Sequence, residues 1–425
     1  MKKWIQIGCT GVAMMSVLFS ACGTTKYDEM ELTSDTKSVV CFDAEVYERD
    51  GFTAVQEFGL SLLKEQLEES NPVISPVSAY IALAMTGDGT SGNTRQEFLN
   101  VLGNEGEMTL LSDMMMESLP TQEEGLQVQL ADSIWIDDEF LVNDEWLSAM
   151  ESVYEAQVFQ TMLETEETML AMNNWVDEKT YSLIDKMVEQ PFSGDTRLVL
   201  LNAVYFNGLW QEEFLGKDTR DDYFYVAMDE AGKVPMMCQY GVTYEYIEAL
   251  DLEGCVLPYQ DGRYAFVALI PKDEQQKVDD CMKELSAEDL TELLESRENC
   301  LVDLKIPKFE VEYGKKLNDA LKNMGIKDAF ASAKADFSKM GKSKEGAPIC
   351  IGEVVQKSVI RVDEKGTEAA AVTEVTVVTE CAIEYEKQPR KLYFNRPFFY
   401  MIMEMEHQIP LFMGIMDNPK LAEVE

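Results

Sequence analysis

Gly366-Thr367-Glu368-Ala369-Ala370-Ala371-Val372-Thr373-Glu374-Val375-Thr376-Val377-Val378-Thr379-Glu380 is the stretch that decides how this chain is read. Taken with a period of two, as a strand must be, one face carries Thr367, Ala369, Ala371, Thr373, Val375 and Val377. These are small and uncharged. The other face carries Ala370, Val372, Thr376 and Val378, together with both acids, Glu368 and Glu374. Such a segment suits the middle of a sheet with one face buried. Its alanine end has little strand preference of its own. The same residues therefore suit a loop in one state and a strand in another. An ordinary edge strand also fits the pattern.

Working outward, helical patterns come first and strand patterns follow. Phe52, Val55, Leu62 and Leu63 lie on one face of a helix running to about Glu69. Asn143 stands where a cap belongs, ahead of Trp146, Leu147, Met150 and Val153. A further helix is expected over residues 168–188, with Trp175, Val176 and Leu183. Strand-like runs cover 198–206, 264–270, 302–309, 398–403 and 410–416. Helices and strands segregated in this way predict an α+β fold. No linker splits the chain after about Cys41, and no internal repeat appears.

The first residues read as a targeting segment. Lys2 and Lys3 precede an apolar stretch that ends in small residues, as a secretory signal does. Leu18-Phe19-Ser20-Ala21-Cys22 resembles a bacterial lipobox, which implies that residues 1–21 are removed and Cys22 becomes an acylated N-terminus. The usual Leu three before the Cys is Phe19 here, and a plain secretory signal is the alternative. Two acyl chains on Cys22 meet the requirement for stable anchoring, placing the protein outside the cytoplasm on the cell surface. Residues 22–50 are then a polar, acidic tether, and residues 51–425 the folded domain.

The chain of 425 residues carries a net charge of −42, which argues against a nucleic-acid partner and for solubility. Of nine cysteines, none are spaced as C-x-x-C, so neither a zinc site nor a disulfide framework is indicated, and most are expected to be small buried hydrophobes. Gly87-Asp88-Gly89-Thr90-Ser91-Gly92 matches a dinucleotide fingerprint by letter, but Ser78 to Met85 before it reads as helix, where that fingerprint needs a strand. The single histidine, His407, falls where two strands should turn back and is read as a solvent-facing turn residue. With one histidine and no G-x-S-x-G, a hydrolytic triad lacks parts, and no metal motif or cofactor site is apparent.

Val362-Asp363-Glu364-Lys365-Gly366-Thr367-Glu368-Ala369-Ala370-Ala371-Val372-Thr373 resembles the hinge of inhibitory serpins. Other stretches agree in order. Asn71-Pro72-Val73-Ile74-Ser75-Pro76-Val77-Ser78 resembles the family's early N-x-x-x-S-P motif. Leu201-Asn202-Ala203-Val204-Tyr205-Phe206-Asn207-Gly208-Leu209-Trp210 resembles its central strand. Phe394-Asn395-Arg396-Pro397-Phe398 and Phe412-Met413-Gly414-Ile415-Met416-Asp417-Asn418-Pro419 resemble its closing strands.

The resemblance implies a serpin fold, with three β-sheets, eight or nine helices and an exposed reactive-centre loop. It implies a protease inhibitor rather than an enzyme. The target, a serine protease with a cysteine protease as the alternative, would cleave the loop and be trapped covalently as the loop enters the main sheet. Hinge residues by resemblance are Glu364, Gly366, Thr367, Glu368, Ala369, Ala370, Ala371, Val372 and Thr373, with Thr367 the first to turn inward. Ser75, Ser78 and Asn202 fall where the family holds its sheet shut, and Gln356 stands where many members have a histidine. Lys308 and Glu364 match a salt bridge where the loop enters the sheet. The family's usual loop length puts the scissile bond at Glu380–Cys381. A shift of one or two residues gives Thr379 or Val378, so a glutamate-specific or an elastase-like protease is expected. A non-inhibitory binding or carrier protein of the same fold, at the cell surface, is the second reading.

Overall fold

The computed structural model describes residues 27–34, 52–104, 107–194, 196–227, 230–344, 349–367 and 388–419. Among these, the helices are α1 (Thr53–Lys64), α2 (Pro76–Asp88), α3 (Gly92–Leu102), α4 (Glu107–Ser118) and α5 (Asp144–Val153). They continue with α6 (Glu166–Lys179), α7 (Val278–Glu284), α8 (Ala287–Glu295) and α9 (Asn318–Met324). Local chemistry sets several of their ends. Asn143 caps α5 by accepting a bond from the Glu145 N–H at 3.1 Å. Pro76 opens α2, where its missing N–H is not needed. The glycine-rich run from Gly87 to Gly92 ends α2, turns at residues 89–91 and opens α3. The helix expected over 168–188 ends at Lys179, because Tyr181 and Ser182 take left-handed backbone with φ 51° and 63°. Asn173 then accepts bonds from the Met187 and Val188 N–H groups, folding that segment back.

The strands form three sheets. The first runs β1 (Glu31–Leu32), β6 (Gln157–Thr161), β4 (Leu126–Asp137), β7 (Leu198–Leu209), β16 (Gly366–Thr367), β15 (Glu353–Val362) and β13 (Phe309–Lys316), with β3 (Thr121–Glu123) beside β4. The second runs β17 (Arg390–Tyr393), β12 (Glu298–Pro307), β9 (Glu230–Ala249), β10 (Leu252–Pro258), β11 (Tyr264–Pro271), β18 (Phe398–Glu404), β19 (Ile409–Met416) and β2 (Val73–Ile74). There β8 (Arg220–Ala227) pairs with β9. A two-stranded sheet joins β14 (Gly341–Ser343) to β5 (Phe140–Val142). The α+β expectation and the three-sheet architecture are thus observed. The run expected over 302–309 divides at Lys308 into β12 and β13, which belong to different sheets.

At the centre of the first sheet, β7 is buried on both faces. On one side Leu200, Val204 and Phe206 of β7 join the main core with α2 and the second sheet. On the other, Val199 and Leu201 pack with Trp135, Phe159 and Trp175 beneath α6. That is why β7 reads as an apolar run broken by Asn202 and Asn207. Helix α2 is buried from Pro76 to Gly87, as a helix apolar on all sides must be.

The stretch read as a tether, residues 22–50, is not all tether. Glu31 and Leu32 pair antiparallel with Phe159 and Val158, capping the edge of the first sheet. Tyr27 is 3% exposed, meets the Phe159 ring edge-on at 5.9 Å and donates to Glu178 Oε2 at 2.5 Å. The polar composition hid this because two residues of edge pairing and one aromatic anchor suffice to dock a strand. The signal segment and Cys22 lie outside the described residues. Among the described residues no helix is long and apolar enough to cross a membrane. The described free cysteines divide: Cys238 and Cys255 are buried, while Cys281, Cys300 and Cys350 are half-buried. His407 lies in the turn between β18 and β19, as expected, but is only partly exposed. It rests on the Phe52 ring at 5.5 Å, and its N–H donates to buried Glu404 at 2.8 Å.

Candidate functional site

β7 and β15 run side by side only at one end, where residues 199–202 pair in parallel with residues 353–356. Beyond that they part, and β16 stands between their other ends. Gly366 and Thr367 pair with Leu209 and Gly208 of β7, and Thr367 with Val362 of β15. Thr367, expected to be the first residue to turn inward, is already inside, with 1% of its surface exposed. Gly366 is needed for this approach: a Cβ there would sit 2.0 Å from the Gly208 carbonyl oxygen.

Around β16 the polar side chains of Thr367, Tyr259, Trp210 and Glu364 are all paired. The Thr367 hydroxyl shares a 2.6 Å bond with the Tyr259 phenol. The Tyr259 ring stacks on Trp210 at 4.7 Å, and burial drives its phenol pKa upward. Trp210 donates its indole N–H to the Asp363 carbonyl at 2.9 Å and its backbone N–H to the Lys365 carbonyl at 2.8 Å. Asp363 Oδ1 accepts the Lys365 N–H, closing the turn from β15 into β16. Glu364 takes Lys308 Nζ at 2.9 Å and the Thr219 hydroxyl at 2.9 Å. Burial alone would raise its carboxyl, but the bonds from Lys308, the backbone and Thr219 outweigh it and hold the pKa below the usual value.

Further down the gap lies a polar belt. Gln356 Oε1 accepts from the Ser75 N–H at 3.1 Å, and its Nε2 donates to the Ser75 carbonyl at 3.0 Å. The same Nε2 reaches Asn202 Oδ1 at 3.5 Å. Asn202 Nδ2 donates to the Ser78 carbonyl at 2.7 Å and to Asp132 Oδ1. The sequence assembled Ser75, Ser78, Asn202 and Gln356 here, and the structure brings all four together. The two serines serve through their backbone, however. Their hydroxyls are buried without a hydrogen-bond partner.

Asp132 was missed. It is 3% exposed in β4, directly opposite Asn202, and its Oδ2 is buried without a partner. Burial pushes its carboxyl up to about 7, against the smaller lowering effect of the Asn202 bond. A signal existed in the sequence. On the face Leu126, Val128, Leu130, Asp132, Ile134 and Ile136, it is the one polar residue.

Glu368, Ala369, Ala370, Ala371, Val372 and Thr373, and the proposed bond with Val378, Thr379, Glu380 and Cys381, lie outside the described residues. The chain is described again from Gln388, and β17 joins the second sheet parallel to β12. Both ends of the segment are therefore fixed in different sheets.

β7 and β15 thus pair directly at one end of their contact and are separated by β16 at the other. This chain belongs to the serpin family: the model described as "Serpin (serine protease inhibitor)" matches residues 53–419. An uncharacterized serpin-like protein of Thermococcus kodakarensis is 32% identical, over 95% of this chain and 90% of its own length. The plasma serine protease inhibitor of Bos taurus is 29% identical, over 82% of this chain and 85% of its own. Among solved structures, the thermophilic serpin tengpin in its native state aligns with TM-score 0.82 at 31% identity, over 90% of this chain and 97% of its own. The same protein in its latent state aligns with TM-score 0.74, over 88% and 99%.

Proposed function

We propose that this protein inhibits a protease by letting it cleave the loop and then drawing the cut loop into the first sheet. The observation that carries the reading is the register of β16. Continued along both neighbours, it puts position 373 opposite Asn202 of β7 and Gln356 of β15 at once. It also keeps positions 369, 371 and 373 on the buried face of Thr367. Alanine, alanine and threonine on that face bury no charge. The incoming strand thus offers a hydroxyl at the level where Asn202 and Gln356 lose each other.

In this reading the target's nucleophile attacks the carbonyl of Glu380 and releases Cys381 as a new amine. Insertion then competes with hydrolysis of the acyl-enzyme. An elastase-like or glutamate-specific serine protease suits Val378, Thr379 or Glu380. The fold of the described residues also supports a closed sheet in the uncut protein, which leaves room for the extra strand.

The test is a panel of proteases followed by a denaturing gel. The expected result is a covalent complex with at least one of them. Thr367→Arg would put an unpaired charge against Tyr259 and Trp210, at several kcal/mol. It should be cleaved but release active protease. Glu368→Ala, on the opposite face, should still trap. Equal trapping by Thr367→Arg and wild type would sink the mechanism. Absence of a complex with every protease that cuts the loop would favour a carrier role.

We also place the protein outside the cell, held to the membrane through an acylated Cys22. Cys22→Ala should move it from the membrane fraction to the medium. Equal release of both forms would refute the anchor. Tyr27, docked on the body, stands five positions after Cys22 in the sequence.

A further inference from the structure

We propose that Asp132 is a proton-controlled catch on the closed sheet: neutral, it stabilises the closed form, and ionised, it hastens opening of the gap between β7 and β15. The proposal rests on the loop-insertion reading but concerns a group that reading does not use. Three observations place it. Asp132 lies in the belt that must be rearranged when the sheet opens, bonded to Asn202, which faces Gln356 across the parting strands. It is buried, with one oxygen lacking any partner. And it is the sole ionisable side chain in the belt.

The elements packed on Asp132 offer it no compensating charge. β7 presents Asn202, α2 and the residue before it present Ser78 and Ser75, and β15 presents Gln356. The charged groups on these elements are engaged elsewhere. Asp88 at the far end of α2 pairs with Arg95, and Asp137 at the end of β4 pairs with Arg197. Lys357 and Glu353 of β15 pair with Glu312 and Lys316. Burial raises the Asp132 carboxyl pKa, and the Asn202 bond lowers it by less.

The sign follows from linkage. In the closed sheet the carboxyl is held up to about 7. Once the belt opens and water enters, it returns toward the ordinary value of about 4. The closed form therefore binds this proton more tightly than the opened form does. Its advantage is largest in acid, falls as pH rises between about 4 and about 7, and levels off above. A shift of one unit corresponds to about a tenfold change in the opening equilibrium.

The experiment uses the uncut full chain, held just below its melting temperature across about pH 5 to pH 9. It follows conversion to a form whose loop is no longer cleaved and whose melting temperature is raised. Conversion should speed up about tenfold or more with rising pH and level off above neutrality. Asp132→Asn, which keeps the shape of the neutral acid, should convert slowly at every pH. Asp417, raised to about 6 by burial, titrates in the same range, so the variant rather than the wild-type profile decides. Should the variant fold poorly, infrared spectroscopy of wild type reads the group directly. A buried protonated carboxyl band should vanish near neutrality. A flat wild-type rate, a variant that keeps the wild-type slope, or a carboxyl that is fully ionised by about pH 5 would each overturn the proposal. No conversion at any pH, with the infrared band titrating as expected, would overturn this proposal while leaving insertion after cleavage to the protease panel, whose covalent complex tests it separately.

Discussion

The two ends of the contact between β7 and β15 are closed by different means. At the upper end the hinge itself fills the gap. Thr367, Tyr259, Trp210 and the Lys308–Glu364 pair leave no hydroxyl, phenol or indole without a partner. In the belt below, the strands are held by side-chain amides, and three buried polar atoms, Ser75 Oγ, Ser78 Oγ and Asp132 Oδ2, have none. Each such atom forgoes about 1–3 kcal/mol that a partner would supply. The upper end is therefore a finished interface, whereas the belt holds polar capacity in reserve. In the serpin reading this is where a metastable sheet should be weak, since an incoming strand that satisfies these atoms lowers the free energy.

The largest effect should come from breaking the finished end. Trp210→Ala removes a buried indole, its stack on Tyr259 and its bond to the Asp363 carbonyl. The expected loss is about 3–5 kcal/mol by chemical denaturation. The loss should appear in the uncut form and be accompanied by faster cleavage of the loop, as β16 leaves the sheet. A variant with unchanged stability would show that the stack does not hold β16.

A smaller effect is expected in the belt. Asn202→Ala leaves the Ser78 carbonyl and Asp132 without their side-chain donor. Gln356→Ala strips the Ser75 backbone of both its bonds to that amide. Each should lower native stability by about 1–3 kcal/mol. Both should shorten the lifetime of the uncut closed form far more than they change loop cleavage. If either variant instead behaves like Trp210→Ala in both measurements, the distinction between the two ends is lost.

The smallest effect belongs to Lys308→Ala. Its partner Glu364 is partly exposed, so the pair contributes ~1 kcal/mol or less. Because the Glu364 carboxyl is held below its ordinary value, the pair's contribution is complete above that value. It is lost as pH falls through the lowered folded-state value. Wild type and Lys308→Ala should differ in denaturant midpoint at neutral pH and converge in acid. A gap that widens in acid would mean that Lys308 acts through something other than Glu364.

Much of this molecule was open to reading along the chain. The α+β order of elements, the cap at Asn143, the turn at Gly87 to Gly92 and the strand-like runs over 198–206, 398–403 and 410–416 follow from periodicity and local hydrogen bonding, which involve residues close in sequence. The small, uncharged face of residues 367–377 follows likewise from a period of two. Residues carried by resemblance, among them Asn202, Gln356, Lys308 and Glu364, could be gathered into one region, because the family motifs fix their order.

Only the tertiary structure decided which strand lies beside which, and from that came the features no local pattern holds. Position 308 separates two sheets although the residues on either side read as one strand-like run. Residues 31 and 32 become a strand because β6 has an unpaired edge, not because their own sequence demands one. Thr367 lies already in the sheet because Gly208 and Gly366 let two backbones approach. Ser75 and Ser78 contribute backbone rather than hydroxyls because Gln356 and Asn202 come from strands remote in sequence. Asp132 is an unremarked acid until β7 and α2 close over it. Burial then sets its charge, and burial is a property of the whole fold, not of any one stretch of chain.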